Sequence, residues 1–451
     1  MSEGTSKFHK PVMIPADNPW AHRWKITAGM AAVGGALALF GAINDAHRFA
    51  FSWLFAFCAV MTMALGAIFF VLIQHLTGAG WSVTVRRTAE FYARGIWMVV
   101  ALVVPIMVMA PTLYPWWDAS GGHGDHGVAH AQDHGGEHAE EAHGAAGHAA
   151  GAHAGSHGEH TPEHQFHADI LQKKLGYLDG GAFFGIRAVI YMMVWVWLGA
   201  WILGLSTKQD RTKDKQLTVE MARRATYGTF LYALSLTFAG FDWVMSLEPN
   251  WYSTMFGVRI FASGAVLSFA LVILTTKSFK RHGVVGSQIN TEHYHDLGKL
   301  MFGFLVFWAY ISFSEFFLIW YAAIPEETIY YHRRWDTDSW RLVSSSLVLF
   351  KFIVPFYLVM SRNVKRHTGG LWLGAAWLVT MHFVEMYYWV MPYAADLQGV
   401  PATPAGLASD VGCLMTTVGL YLTYVFWEMT RHSVIAVGDP RLERSLQFVN
   451  A

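Results

Sequence analysis

Four side chains combine acid–base capacity with surroundings that oppose charge. Glu315 stands in KLMFGFLVFWAYISFSEFFLIWYAAIPEE beside Ser312 and Ser314. Lys351 stands near the middle of LVSSSLVLFKFIVPFYLVM, with Ser344, Ser345 and Ser346 one to two turns away. His382 and Glu385 share LWLGAAWLVTMHFVEMYYWVMP at an i,i+3 spacing, which puts both on one helical face. A charge at the centre of a bilayer costs about 2.5–3.5 kcal/mol on insertion scales, so each of these groups calls for an explanation. Protonatable groups in series inside an apolar medium are what a proton relay requires. The plainer alternative is that Lys351 pairs with Glu315 or Glu385 and only fixes packing. A second constellation lies in GFDWVMSLEPNWYSTMFG: Asp242 and Glu248 flank a turn, and Arg259 follows about one helical turn beyond it. Arg187 and Arg259 are the candidate partners of Asp242 or of a loop acid.

The elements that must position these groups are membrane helices. The chain of 451 residues is 54% hydrophobic and 14% charged. Soluble domains carry about 25% charged residues, so the deficit points to lipid as the solvent. Zero net charge gives no nucleic-acid footprint. Cys58 and Cys413 both sit in apolar runs and read as two buried thiols. Two cysteines exclude a cysteine-ligated Fe–S cluster and a C-x-x-C-H haem attachment. No P-loop or dinucleotide fingerprint occurs, which argues against nucleotide-driven transport. Only His75 and His382 lie deep in apolar stretches, so no b-type haem is expected. MSEGTSKFHKPVMIPADNPW has no apolar run of signal-peptide type, so no cleavable signal is expected.

A spanning helix needs about 20 mostly apolar residues. Ten stretches qualify, near 26–43, 50–76, 92–115, 181–205, 225–246, 255–278, 299–323, 342–360, 370–391 and 410–428. The predicted fold is therefore all-α and polytopic. Residues 1–25 form an N-terminal segment, 26–115 the first three spans, 116–180 a long connection, 181–428 the other seven spans and 429–451 a tail. Alternate connections carry 21 Lys and Arg residues on one side and 6 on the other. Positive charge stays inside, which predicts both termini in the cytoplasm. Gly34 and Gly35 weaken the first span as an isolated helix, but glycine lets membrane helices approach closely.

Two connections stand out. Residues 116–167 hold twelve of the chain's 23 histidines, with no Lys or Arg. Too few apolar residues are present to offset the entropy of ordering them, which predicts a disordered outward insertion. Weak metal binding and proton buffering are the sharper readings of its imidazoles, and no fixed site is predicted. Residues 324–341, IPEETIYYHRRWDTDSWR, mix acids, arginines and aromatics. That mixture suits docking to a partner protein through Glu326, Glu327, Arg333 and Arg334. In the turn SLEPNWY, Pro249 ends the preceding helix, and Ser253 and Thr254 are candidate caps for the next.

The runs FDWVMSLEPNWYSTMFG, FWAYISFSEFFLIWYAAIPEET, RRWDTDSW, PFYLVMSRNVKR and HFVEMYYWVMP resemble the ActF-type membrane subunits of Alternative Complex III, a bacterial quinol:cytochrome c (or other acceptor) oxidoreductase. The resemblance covers most of the chain outside the histidine-rich connection. ActF is in turn similar to NrfD/PsrC-type membrane subunits. The resemblance implies paired four-helix bundles plus two extra helices in the bacterial inner membrane. It implies partners that carry the redox cofactors: an ActC-like membrane subunit, a periplasmic iron–sulfur protein and haem c subunits. Two roles then stand open. One is a proton path through Glu315, Lys351, His382 and Glu385, with no catalytic residue and no metal in this chain. The other is a quinone pocket whose polar end is Asp242, Glu248 and Arg259. A stand-alone secondary transporter is the alternative from another class; Pro355 interrupts one span as transporter helices are interrupted, but no matching break occurs in the other half.

Overall fold

The computed structural model describes residues 10–117, 172–174, 176–178, 181–394 and 403–449. The histidine-rich run 118–171, Lys7 and the last two residues of the tail lie outside the described residues. Among the described residues every regular element is helical. The main helices are α1 Arg23–Asn44, α2 Ala46–Leu76, α3 Val83–Arg94, α4 Ile96–Val108, α5 Ala182–Thr212, α6 Gln216–Trp243, α7 Phe256–Arg281, α8 Thr291–Ala322, α9 Pro325–Trp335, α10 Asp338–Ser346, α11 Val354–Met360, α12 Thr368–Val390 and α13 Pro404–Arg431. A π-helical segment, Leu347–Ile353, joins α10 to α11.

Nine helical segments among the described residues are long and apolar enough to cross a membrane; α3 with α4 make one of them, and Asp338–Met360 makes another. The chain is thus an all-α protein of multi-pass membrane type. The expected stretch 370–391 is α12, a helix of 23 residues that is less apolar than those nine. Its composition explains the difference, because His382, Glu385 and two tyrosines dilute its apolar residues.

Several expected boundaries shift. The third span begins at Val83, so Arg86 and Arg87 lie inside a helix, fully buried, where a loop was expected. The helix breaks at Gly95, pressed against the Tyr421 ring: a Cβ there would lie 2.4 Å from Tyr421 Cε2. Residues 324–341 are largely helical, as α9 and the start of α10. The expected caps Ser253 and Thr254 do not cap α7, whose N-cap is Met255; Ser253 binds an acid instead.

α2 is the buried axis, with its middle turns sealed from Ala50 to Ile68 except at Trp53. Two close approaches lock other helices to their neighbours. A Cβ on Gly34 of α1 would lie 2.6 Å from the Thr416 amide nitrogen of α13, and one on Gly412 would lie 2.4 Å from the Ala38 nitrogen. Gly35, one position away, faces open space. A Cβ on Gly66 of α2 would lie 2.1 Å from Gly264 O of α7. Small residues at such crossings let backbones touch, which replaces the hydrophobic drive that lipid cannot supply. Ile26, Val33, Phe40 and Ile43 of α1 are exposed, as expected of a helix facing acyl chains. Cys58 and Cys413 are both buried free thiols, as their apolar surroundings predict.

Both termini and the connections after α2, α5, α7 and α11 gather at one end, termed here the terminal end. Residues 432–449 cross it as a strap: Ser433 binds the Val12 amide, Lys213 binds Val437 O, and Ser445 binds Trp81 O. The opposite, hairpin end holds the 244–255 turn and α9.

Candidate functional site

The Gly66–Gly264 crossing brings Thr62 of α2 and Ser263 of α7 to opposite sides of one ring. His382 of α12 fills the gap, with Nδ1 3.0 Å from Ser263 Oγ and Nε2 2.8 Å from Thr62 Oγ1. Ser263 Oγ also binds Glu385 Oε2, and Lys351 Nζ donates to both Ser263 Oγ and Glu385 Oε2. Trp308 of α8 donates its Nε1–H to the other carboxylate oxygen of Glu385 at 2.6 Å. Its ring face lies 4.4 Å from Lys351 Nζ. His382, Lys351 and Glu385 are each at most 1% exposed. Glu385 and Lys351 therefore form a buried ion pair whose spare hydrogen-bonding capacity is met by serine, indole and π-face.

A serine hydroxyl has one proton and a neutral imidazole has one N–H, so this chain has two hydrogen arrangements. In one, Ser263 donates to His382 Nδ1, and His382 Nε2–H donates to Thr62. In the other, His382 Nδ1–H donates to Ser263, Ser263 donates to Glu385, and Thr62 donates to Nε2. A proton given up by a neutral Glu385 can pass through Ser263 to His382, which then holds a proton on each ring nitrogen, without moving a heavy atom. Thr62 closes the chain, since its hydroxyl otherwise binds Cys58 O and Ala59 O of its own helix.

Lys351 reaches this site from the π segment. A π turn adds a residue to the repeat and rotates the helix beyond it, and such turns occur often at functional positions. α10, the π segment and α11 present Val348, Leu349 and Phe350 outward while Lys351 is 1% exposed.

Glu315 of α8, expected on the same path, is held by Arg259, which lies one helical turn along α7 from Ser263. Its carboxylate receives Arg259 Nη1 at 3.0 Å and Ser253 Oγ at 2.5 Å. The Arg259 guanidinium also rests 5.7 Å from the ring centroids of Tyr388 and Trp389. Glu315 is thus joined to the Lys351–Glu385–His382 group through neighbouring residues of α7, not by a direct bond.

The expected cluster of Asp242, Glu248 and Arg259 is distributed over three separate ion pairs. Arg187 holds Asp242 through two nitrogens, at 2.7 and 3.1 Å, and Tyr191 donates to the same carboxylate at 2.8 Å. Glu248 pairs with Arg333 at 3.1 Å, and Arg259 pairs with Glu315. Of the expected docking residues, Glu326 and Glu327 line a cleft of ≈ 390 Å³ with Lys173 and Tyr252. Arg333 is partly occupied by Glu248. Arg334 is fully buried and faces inward. It stacks 3.6 Å from the Tyr330 ring and donates to the carbonyls of Tyr330, Tyr388 and Trp389. Burial holds the Tyr330 phenol well above its usual value, so that ring is neutral.

At the terminal end three arginines face three acids. Arg86 meets Glu90 at 2.9 Å and Asp439 at 3.0 Å; Arg87 meets Glu90 at 2.9 Å and Asp210 at 2.8 Å; Arg441 meets Asp439 at 2.8 Å. Burial alone would raise the Asp439 carboxyl, but Arg86 and Arg441 outweigh it and hold that group well below the usual range. A further buried group joins Arg48 to Asp410 at 2.9 Å, with Ser52 and Tyr387 on the same carboxylate.

Sequence reasoning missed Ser263, Thr62 and Trp308, and it gave Ser253 the role of a helix cap rather than of a partner for Glu315. A lone hydroxyl in an apolar helix usually binds its own i−4 carbonyl, so nothing marked Thr62 or Ser263 as different. The close Gly66–Gly264 pair is the one local hint that side chains beside it face a tight interface. No family model matches the chain, and no curated protein matches it.

Proposed function

We propose that the chain is an integral subunit of a quinol-oxidising respiratory assembly of the Alternative Complex III type, and that it contributes a transmembrane proton path. The assembly rests on the resemblance of the aromatic-rich runs to ActF-type subunits. In this reading α12 crosses the bilayer as a tenth span, since 23 residues extend about 35 Å at 1.5 Å per residue against a hydrocarbon core of about 30 Å. Both termini lie in the cytoplasm of a bacterial cell. An ActC-like subunit, a periplasmic iron–sulfur protein and haem c subunits supply the redox centres, and the cleft at Glu326 and Glu327 faces them.

One observation carries the proton reading. Four groups able to hold or pass a proton, Glu385, Ser263, His382 and Thr62, are bonded in series inside apolar helices, with Lys351 on the carboxylate. A buried imidazole needs partners at both nitrogens whatever its role, so the support comes from the serial order of the groups rather than from either bond. Arg259 and Glu315 stand next toward the hairpin end, where Ser253 connects them to the turn.

The quinone-binding alternative has less support. Its expected polar groups are each engaged in a different ion pair. The cavity beside them, lined by Tyr177, Phe241, Met245 and Trp251, measures ≈ 240 Å³, below the 300–1,000 Å³ of ordinary ligand pockets.

The test is proton translocation by the purified assembly in vesicles. Glu385→Gln and Glu315→Gln are expected to lower protons moved per electron while the assembly stays intact. Unchanged stoichiometry in both variants refutes the path. Purification as a functional lone chain refutes the assembly and favours a transporter.

A further inference from the structure

The π segment raises a question of register. At its end the Val354 amide bonds Leu349 O, a step of five residues. The α-helix that resumes at Val354 returns to steps of four. The carbonyl skipped by this change is Phe350 O. Position 355 cannot repair the ladder, because Pro355 has no N–H. In lipid an unmet carbonyl has no water to turn to. Trp377 of α12 supplies the missing donor: its Nε1–H meets Phe350 O at 2.6 Å. The indole lies at the lipid-facing side, 37% exposed, with its ring 6.1 Å from that of Phe350.

This bond is specific to the π register. In a continuous α-helix, the Val354 amide would bond Phe350 O, and the carbonyl left without a donor, by Pro355, would be Lys351 O instead. The Trp377 bond to Phe350 O is made with Lys351 turned inward, and Trp377 sits on the same helix as His382 and Glu385. We infer that Trp377 is a positioning residue that holds the π turn in register and so keeps Lys351 on Glu385. Loss of the indole N–H lets the segment relax to α-helix. The relaxation removes the extra residue from the turn and swings Lys351 about 100° around the axis, the angle of one residue at 3.6 per turn, away from the carboxylate. The inference rests on the proton reading only for why the position of Lys351 matters.

The experiment is cryo-electron microscopy of the purified full chain in its native assembly, carrying Trp377→Phe or Trp377→His. Phenylalanine keeps an aromatic ring at the lipid face and deletes the donor. In histidine, Nε2 occupies the place in the five-membered ring that Nε1 has in the indole. Trp377→Phe is expected to show residues 347–353 in α-helical register with Lys351 off Glu385, and to lose proton translocation as Glu385→Gln does. Trp377→His is expected to restore the π turn and most of the translocation. If Trp377→Phe does not accumulate, Trp377→Met deletes the same donor with a flexible apolar chain and is judged by the same map. A π turn that persists in the donor-free variant, with Lys351 still on Glu385, overturns the inference. A lost π turn with unchanged proton translocation upholds the register lock and counts against the proton path instead.

Discussion

Glu385→Gln takes away the carboxylate that balances Lys351 and leaves an ammonium sealed among Trp308, Ser263 and apolar side chains. Removing one partner of a buried ion pair costs about 3–5 kcal/mol, chiefly because the other charge stays buried without compensation. The low end applies here, about 3 kcal/mol, because Ser263 still accepts from Lys351 at 3.1 Å and the Trp308 ring still faces it. Lys351→Met costs about the same, since Ser263 and the Trp308 N–H still solvate Glu385. The second substitution then adds little, because the charge it deletes is already unpartnered. A double-mutant cycle should therefore give a coupling energy of about 3 kcal/mol, at the top of the usual range for contacting residues. The assay is equilibrium unfolding of the purified chain in mixed micelles, with the four proteins compared under one condition. Additive costs, with coupling under about 0.5 kcal/mol, would refute the claim that Lys351 and Glu385 form one sealed unit.

The packing and the terminal end give two further expected outcomes. Gly34→Ala should lower unfolding stability because its Cβ meets the Thr416 backbone, whereas Gly35→Ala, facing open space, should be neutral or gain up to about 1 kcal/mol of helix propensity; equal effects in the same micelle assay would show that α1 and α13 do not touch as described. The carboxyl of Asp439 is depressed below its ordinary 3.8, so its stabilisation is complete above that pH and is lost as pH falls toward the lowered value. Thermal unfolding should show a pH-dependent loss below 3.8 that Asp439→Asn diminishes, and an identical pH profile in the variant would exclude Asp439 as its source.

Much of the architecture was legible because lipid enforces long apolar helices, and α2, α7 and α8 lie close to where hydropathy places them. The i,i+3 pairing of His382 with Glu385 was legible for the same reason, since a helix fixes which residues share a face. Partner choice was not. Asp242 had two arginines within reach by sequence count, and only the packing of α5 against α6 selects Arg187. Arg86 and Arg87 read as loop residues because charge usually marks a helix end, but here the strap and α5 bring acids to them. The π turn leaves no periodic signature over seven residues; its five-residue step shows only in the backbone bonds.

The Arg86–Asp439 contact joins residues 353 positions apart in the chain. At roughly 5–20 residues per second, a ribosome makes Asp439 some 20–70 s after Arg86. Throughout that interval Arg86 and Arg87 share Glu90, and Asp210 arrives before the last acid does. Of this group, Arg86 and Arg87 exceed their acids only until Asp210 is made, and Asp439 arrives together with Arg441. A chain without Asp439 leaves Arg86 to Glu90 alone, so Arg86 ties the third helix to the strap through a single late acid.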